Sequence, residues 1–123
     1  KLVKKFMPGQ FTLITDAQPG LPSWCVSKEG TVGIRVPDLK VIRDLIELVG
    51  KPLLVPSANK SGEEPGNTNK EVESIFGNEI DAIIEGESKS KTPSTIILVK
   101  DSNIKMLREG IVTLKEVEEE LSR

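Results

Sequence analysis

The chain has 123 residues, 37% hydrophobic and 29% charged, with a formal net charge of −2. This is the composition of one water-soluble globular domain, without a general attraction to nucleic acid or anionic lipid. One cysteine and no histidine exclude an internal disulfide, a Ser-His-Asp triad and most catalytic zinc sites. The first residues lack the apolar region of a signal peptide, and no run approaches the roughly 20 apolar residues of a membrane span, so we expect a cytoplasmic protein. The first residue is not Met, so we also expect a longer parent chain.

The first part of the chain predicts two strands joined by a long loop. A short helix ending at Pro8-Gly9 leads into a strand at 11–15. The following loop, 18–30, is rich in Pro and Gly. We expect Trp24 and Cys25 to anchor this loop by packing, and a ligand-binding role for Trp24 is the weaker interpretation.

The next segment predicts a strand, a helix and a second strand. Residues 31–36 alternate between polar and apolar, which places Thr31 and Arg35 on one face of a strand. A helix follows from Asp38, as the N-cap, to the glycine that ends it at position 50. The apolar run 53–55 then predicts a short buried strand. Together these elements predict a βαβ crossover.

Two further helices and three strands are predicted in the rest of the chain. The sequences Thr68–Glu71 and Thr113–Glu116 are capping boxes, each of which begins a helix. Stretches rich in apolar and β-branched residues at 80–84, 94–99 and 104–108 predict strands. The order of elements predicts an α/β fold in which helices flank a twisted mixed sheet.

Candidate binding residues fall where predicted strands end. The run Pro52–Gly66 changes from apolar to a loop of small polar residues, and open α/β sheets place ligands at such points. Hydroxyls, amides and guanidinium groups suit the binding of phosphates and carboxylates. The residues that would form such a polyanion site are Thr31, Arg35, Ser57, Asn59, Ser94, Thr95 and Arg108.

Each of these residues also has a simpler interpretation. The sequence Ser57-Ala58-Asn59 is common in turns that bind nothing. Arg35 suits a solvated position on an edge strand, and Ser94 can simply begin a strand. Arg108 suits the protein surface, the usual place of a single arginine. The residue pattern leaves these alternatives open.

Five segments resemble the Sua5/YrdC/YwlC family in their order and spacing. They are Phe6–Leu13, Thr31–Asp38, Val55–Gly62, Ser94–Ile97 and Leu107–Gly110. The resemblance covers essentially the whole chain and implies that residues 1–123 form a YrdC/RibB-like domain with a concave, positively charged ligand cavity. It also implies that an N-terminal segment, which carries a Lys-x-Arg motif in the family, precedes this domain.

The resemblance implies a threonylcarbamoyl-AMP synthase, which is a nucleotidyltransferase. Such an enzyme condenses L-threonine, bicarbonate and ATP, the last with Mg²⁺, and releases pyrophosphate. The product would pass to a downstream transferase complex for the t6A modification of tRNA. The matching motif positions imply two sets of site residues. ATP would contact Thr31, Ser57, Asn59, Pro65 and Arg108, and threonine would contact Arg35, Val55 and Ser94.

Two other functions remain as hypotheses. The first is a module that binds tRNA or double-stranded RNA without catalysis, and it depends on a basic cluster of Arg35, Lys60, Lys89 and Lys91. An acidic isoelectric point of about 5.3 argues against this module. The second is the related domain of hydrogenase-maturation carbamoyltransferases, whose additional modules are not visible in this sequence.

Overall fold

The computed structural model describes residues 1–88 and 92–123. These residues form two compact units: Lys1–Leu53 with Thr92–Arg123, and Leu54–Lys91. The first unit contains all four strands of the described sheet, and the second contains one helix and several turns. None of the helices in the described ranges is long and apolar enough to cross a membrane.

The sheet of the first unit mixes parallel and antiparallel strands, as the sequence predicted. Its strands are β1 (Phe11–Asp16), β2 (Thr31–Ile34), β3 (Thr95–Lys100) and β4 (Asn103–Arg108). Their order across the sheet is β2-β1-β3-β4. The two central strands, β1 and β3, run parallel, and each outer strand pairs antiparallel with its central neighbour.

One face of the sheet carries the hydrophobic core. Phe11 and Ile97 are fully buried there, and two helices cover them: α1 (Leu2–Phe6) and α4 (Leu114–Ser122). Leu2 of α1 and Val117 of α4 complete the buried cluster. This face follows from the period-2 alternation of β1 and β3, whose paired residues point to the same side. We refer to it below as the core face.

The opposite face of the sheet, called here the open face, is less covered. Thr12, Ile14, Ile96 and Leu98 point to it and are only half-buried. On β2, the residue paired with Ile14 is Gly33, which is exposed. A sheet with one packed face and one accessible face can present side chains to a ligand without disturbing its core.

The predicted βαβ crossover is wrong. Strand β2 and helix α2 (Lys40–Val49) are present, but residues 53–55 form no strand, and Leu54 and Val55 are 67% and 77% exposed. Prolines at 52 and 56 remove backbone N–H donors on both sides of this run, which weakens any pairing with a neighbouring strand. Apolar sequence alone does not supply that neighbour.

Two further expectations are also wrong. Residues 80–84 form no strand, and Ile80 and Ile84 at their ends are exposed. Asp38 does not cap α2, because the N-cap is Leu39 and no side chain bonds to this helix end. Gly50 does end the helix, in the left-handed conformation that the sequence suggested.

The loop before β2 is not anchored by its tryptophan. Trp24 lies in a short 3₁₀ helix and is 70% exposed, although Cys25 beside it is half-buried. The loop is instead closed by polar contacts. The Ala17 N–H donates to the Gly30 carbonyl at 2.9 Å, and the Ser27 and Thr31 hydroxyls lie 2.8 Å apart. Short polar turns therefore perform the role that we assigned to apolar packing.

Both predicted capping boxes are confirmed. In α3 (Asn69–Phe76) the Thr68 hydroxyl accepts from the Glu71 N–H, and the Glu71 carboxylate accepts from the Thr68 N–H. The same reciprocal pair joins Thr113 and Glu116 at the start of α4. Hydrogen bonds to the carboxylates lower the pKa of both glutamates. The largest cause is the backbone N–H of Asn67 for Glu71 and that of Thr113 for Glu116.

The box that begins α4 predicts a specific dependence of stability on pH. Because the pKa of Glu116 is lower in the folded state, its contribution is present above the ordinary value of 4.5 and is lost as the pH falls below it. We expect Glu116→Ala to lower the melting temperature at pH 7 and to differ less from the natural protein at pH 3. Glu118→Ala, outside the box, is the control. A Glu116→Ala difference that stays constant with pH would contradict this account.

Candidate functional site

Four of the predicted site residues lie at one end of the sheet: the buried Thr95, which begins β3, and three more accessible residues. Strands β1 and β3 begin at this end, and their antiparallel neighbours β2 and β4 finish there. Arg35 follows β2 directly, Ser94 directly precedes β3, and Arg108 is the last residue of β4. The topology therefore gathers two guanidinium groups and a hydroxyl that are far apart in the sequence.

A β-bulge directs Arg108 to the open face. Met106 pairs with Ile97, but the next pairing joins Arg108 to Ile96, so Leu107 is an extra residue in β4. Without the extra residue, strict alternation would place Arg108 on the core face together with Met106. The bulge therefore exposes a charge that regular pairing would bury.

Ser94 holds Arg108 through two contacts. The Arg108 Nε–H donates to the Ser94 carbonyl oxygen at 2.9 Å, and Nη2 donates to the Ser94 hydroxyl, also at 2.9 Å. A serine hydroxyl that accepts one hydrogen bond still has its own proton to donate. The pair thus offers an oriented guanidinium group and a hydroxyl donor side by side, which suits a phosphate or a carboxylate.

Arg35 is held in a similar way on the other side of the same sheet end. Its Nε–H donates to the Gly9 carbonyl at 3.0 Å, and the Gly9 N–H donates to the Val36 carbonyl at 2.8 Å. Within residues 1–88 and 92–123, its two terminal nitrogens have no assigned acceptor. Strands lie about 4.8 Å apart, so three spacings place the backbones of Arg35 and Arg108 about 14 Å from each other.

Thr31 lies at the opposite end of the sheet. It begins β2 and pairs with Asp16, the last residue of β1, so β2 separates it from Arg35. It also contacts Ser27, whose Oγ accepts from the Thr31 N–H at 3.2 Å. Thr31 lies on the open face, whereas the strand that was predicted to reach residue 36 ends at Ile34, just before Arg35. The three-residue group at the other sheet end therefore does not include Thr31.

The buried hydroxyl of Thr95 fixes the segment that follows Arg108. Thr95 is fully buried, and its Oγ1 donates to the Val112 carbonyl at 2.6 Å. The same oxygen accepts from the N–H groups of Gly110 and Val112, both at 3.0 Å. A Cβ at Gly110 would overlap the Pro93 carbonyl oxygen and lie 2.7 Å from the Ser94 carbonyl carbon. Glycine is required there because two backbones approach closely.

The second unit contains the remaining predicted residues in one loop. Val55 and Ser57 are exposed, whereas Asn59 is half-buried. The Asn59 side-chain amide donates to the neighbouring Lys60 carbonyl at 3.0 Å, and its backbone N–H donates to the Ser57 carbonyl, also at 3.0 Å. In the part of the chain that the structure covers, no partner is assigned to the Ser57 hydroxyl. That hydroxyl is accordingly accessible to a ligand.

Pro65 lies where this loop returns to its beginning. The Gly66 N–H donates to the Ala58 carbonyl at 2.9 Å, which brings Pro65 close to the Ser-Ala-Asn sequence. The Asn67 amide then donates to the Pro65 carbonyl, and the Asn67 N–H donates to the Glu71 carboxylate at 2.7 Å. The loop is thereby attached to the capped start of α3. The turn interpretation of Ser57–Asn59 and a binding role are thus compatible.

A comparison with protein-family models identifies the family of this chain. The family model of Sua5, YciO and YrdC proteins, described as telomere recombination, matches residues 1–110. The chain belongs to the Sua5/YciO/YrdC family. The resemblance drawn from the five sequence motifs is therefore confirmed.

Relatives of known name agree with this membership. A Methanocaldococcus jannaschii protein is 37% identical over 118 residues, which are 95% of this chain and 55% of that protein. The threonylcarbamoyl-AMP synthase of Pyrococcus abyssi is 33% identical over 95% of this chain and 35% of its own. The structure of P. abyssi Sua5 with L-threonine has a TM-score of 0.87 and covers 96% of this chain and 35% of that one. The chain thus spans about half, or less, of these relatives.

The sequence named Thr95 as a candidate binding residue, and this part of the prediction is wrong, because its hydroxyl is fully buried and bonded to the backbone of Gly110 and Val112. Gly110 was predicted only to end a strand, yet with Thr95 it fixes the segment after Arg108. The sequence carried only a weak signal, an Arg-x-Gly spacing that follows a Ser-Thr pair along the chain. That their strands are neighbours is seen only in the sheet. The bulge at Leu107 had no sequence signal that we can identify.

The basic cluster proposed for RNA binding stays a prediction. Lys60 lies 3.8 Å from Glu79, and Arg35 donates to a main-chain carbonyl. Lys89 and Lys91 lie outside the described residues. Nothing in the described parts of this Sua5-family chain adds support to the RNA-binding hypothesis.

The contacts of Thr95 predict a large effect of removing its hydroxyl. Thr95→Val keeps the shape but leaves backbone groups of Gly110 and Val112 without a partner, which costs at least about 2 kcal/mol. Thr95→Ser keeps the hydroxyl and is the matched control. Urea unfolding of the complete protein measures both free energies. Equal stability of the two variants would mean that the hydroxyl network is not the important element.

Proposed function

We propose that this chain forms part of a threonylcarbamoyl-AMP synthase. The observation that carries the proposal is the pair of guanidinium groups, Arg35 and Arg108, gathered at one end of the sheet in a member of this family. Each has its Nε–H on a main-chain carbonyl. Two oriented cations suit a reaction that joins a carboxylate-bearing amino acid to a nucleotide.

Threonine binding is assigned to Arg35, Ser94 and Val55. The terminal nitrogens of Arg35 can hold the threonine carboxylate in a bidentate pair. The Ser94 hydroxyl retains a proton for a second acceptor oxygen, and Val55 would contribute backbone contacts in its own unit. The P. abyssi relative, whose structure is known with L-threonine, supports threonine as the amino acid.

ATP binding is assigned to Arg108 and Thr31 in the first unit and to Ser57, Asn59 and Pro65 in the second. Arg108 would neutralise phosphate charge, and hydroxyl and amide groups would supply directional hydrogen bonds. The described residues contain no group of three or more acidic, histidine or cysteine side chains that could hold a metal ion. Mg²⁺ would accordingly arrive on the triphosphate as part of the substrate, which is its usual mode in phosphoryl chemistry.

The proposed reaction does not require a histidine. Threonine and bicarbonate form a carbamate with loss of water, and a carbamate oxygen attacks the α-phosphorus of ATP. The bond from the α-phosphorus to the oxygen that bridges it to the β-phosphate breaks as the new P–O bond forms, and pyrophosphate leaves. Such a displacement depends mainly on alignment and charge neutralisation. The product would serve the t6A modification of tRNA in the cytoplasm, through a downstream transferase.

Substitution of the two arginines tests the assignment of ligands. In the complete protein, Arg35→Ala should raise the Kd for L-threonine about 10- to 100-fold, since charge-assisted hydrogen bonds contribute about 1.5–3 kcal/mol. Arg108→Ala should raise the Kd for ATP by a similar factor and affect threonine less. Calorimetric titration with each ligand measures both effects.

Controls for this experiment are available in the same chain. Lys115 is an exposed cation on α4, on the core side of the sheet, and Lys115→Ala should change neither Kd. Pyrophosphate release should require L-threonine, bicarbonate and ATP together. If Arg35→Ala binds threonine as tightly as the natural protein, the assignment of the amino-acid site is wrong.

A further inference from the structure

Gly33 occupies an unusual position for a glycine. It lies inside β2, where glycine weakens a strand because it has no side chain to pack and loses more backbone entropy on folding. Its φ is not among the positive values that five other glycines adopt. The conformation of the backbone therefore gives no reason for glycine here.

Crowding gives no reason either. A Cβ built on Gly33 would lie 3.6 Å from Cγ1 of Ile14 and 3.7 Å from Cγ2 of Thr12. These are ordinary van der Waals distances, so an alanine would fit and would bury part of both side chains. Alanine should also reduce the entropy of the unfolded chain and thus raise stability. The fold would benefit from a side chain that the sequence does not provide.

The location of Gly33 suggests what its missing side chain permits. Thr31 and Gly33 lie on the open face of β2 and Arg35 directly follows the strand, so Gly33 lies midway along the chain between the residues assigned to ATP and to threonine. At about 3.3 Å per residue, the backbones of Thr31 and Arg35 are about 13 Å apart. A ligand that touches both side chains must cross the backbone at Gly33.

We infer that Gly33 is a specificity-determining residue whose bare backbone lies under the bound acyl-adenylate. The carbamate–phosphate linkage of this ligand would cross β2 at Gly33 in van der Waals contact, with the threonine part toward Arg35 and the nucleotide part toward Thr31. A side chain at position 33 would hold the carbamate–phosphate linkage farther from the strand, and so farther from Arg35 and Thr31. This inference rests on the proposed function and adds the residue that sets the depth of the site.

The test uses two substitutions of increasing size in the complete protein. Gly33→Ala should raise the Kd for ATP, measured with saturating L-threonine, at least about tenfold. Gly33→Val should abolish detectable binding. The melting temperature without ligand should be unchanged or higher in both variants, because alanine and valine suit a strand better than glycine. Loss of binding together with equal or greater stability is the signature that a purely structural glycine cannot give.

The control adds one carbon atom to the same strand on its other face. Val32→Ile should leave the Kd within about twofold, since Val32 pairs with Thr15 on the core face. The inference is overturned if both Gly33 variants bind as tightly as the natural protein, or if both lose stability as well as binding. If the natural protein itself binds neither ATP nor L-threonine, the proposed function fails and this inference fails with it.

Discussion

The arrangement of the site depends on one buried hydroxyl group, that of Thr95. Its oxygen joins the beginning of β3 to the backbone of Gly110 and Val112, which follow Thr95 by 15 and 17 residues in the sequence. A buried polar group is stable only when its hydrogen bonds are made, so this network fixes a single geometry. Since Ser94 and Arg108 flank the joined segments, their orientation follows from a contact that neither of them makes.

The mixed topology of the sheet turns this local contact into a site. Because β2 and β4 run antiparallel to the two central strands, both finish where β1 and β3 begin. The bulge at Leu107 then rotates Arg108 away from the core, so its charge stays exposed. Side chains at strand ends are held more precisely than side chains on loops. A reaction that depends on positioning more than on acid–base chemistry benefits from such a frame.

Local features of the structure and the mixed sheet could be predicted from the sequence, whereas the individual strand pairings and packing contacts could not. Both capping boxes depend on a threonine and a glutamate three residues apart, so their geometry is contained in the sequence. The run 53–55 looked like a strand because it is apolar, but a strand also needs a partner, which composition does not reveal. The prediction that Trp24 packs was wrong for the same reason, since packing requires a neighbouring surface that the sequence does not show. For the candidate site, motif likeness named the residues, whereas the sheet topology decided that Thr31 lies at the other end.

The fixation of both arginines at Nε has a consequence for selectivity. A guanidinium group that donates one N–H to a main-chain carbonyl has already lost part of its conformational freedom. Ligand binding therefore costs less side-chain entropy. Its terminal N–H groups then donate well only to ligands whose oxygens lie in a fixed plane. Because the protein carries a net charge of −2, attraction of anions at this sheet end must come from these local groups, not from a general positive field. Under the proposed function, discrimination among anions would therefore depend on geometry, which the Gly9 carbonyl sets for Arg35 and the Ser94 carbonyl for Arg108.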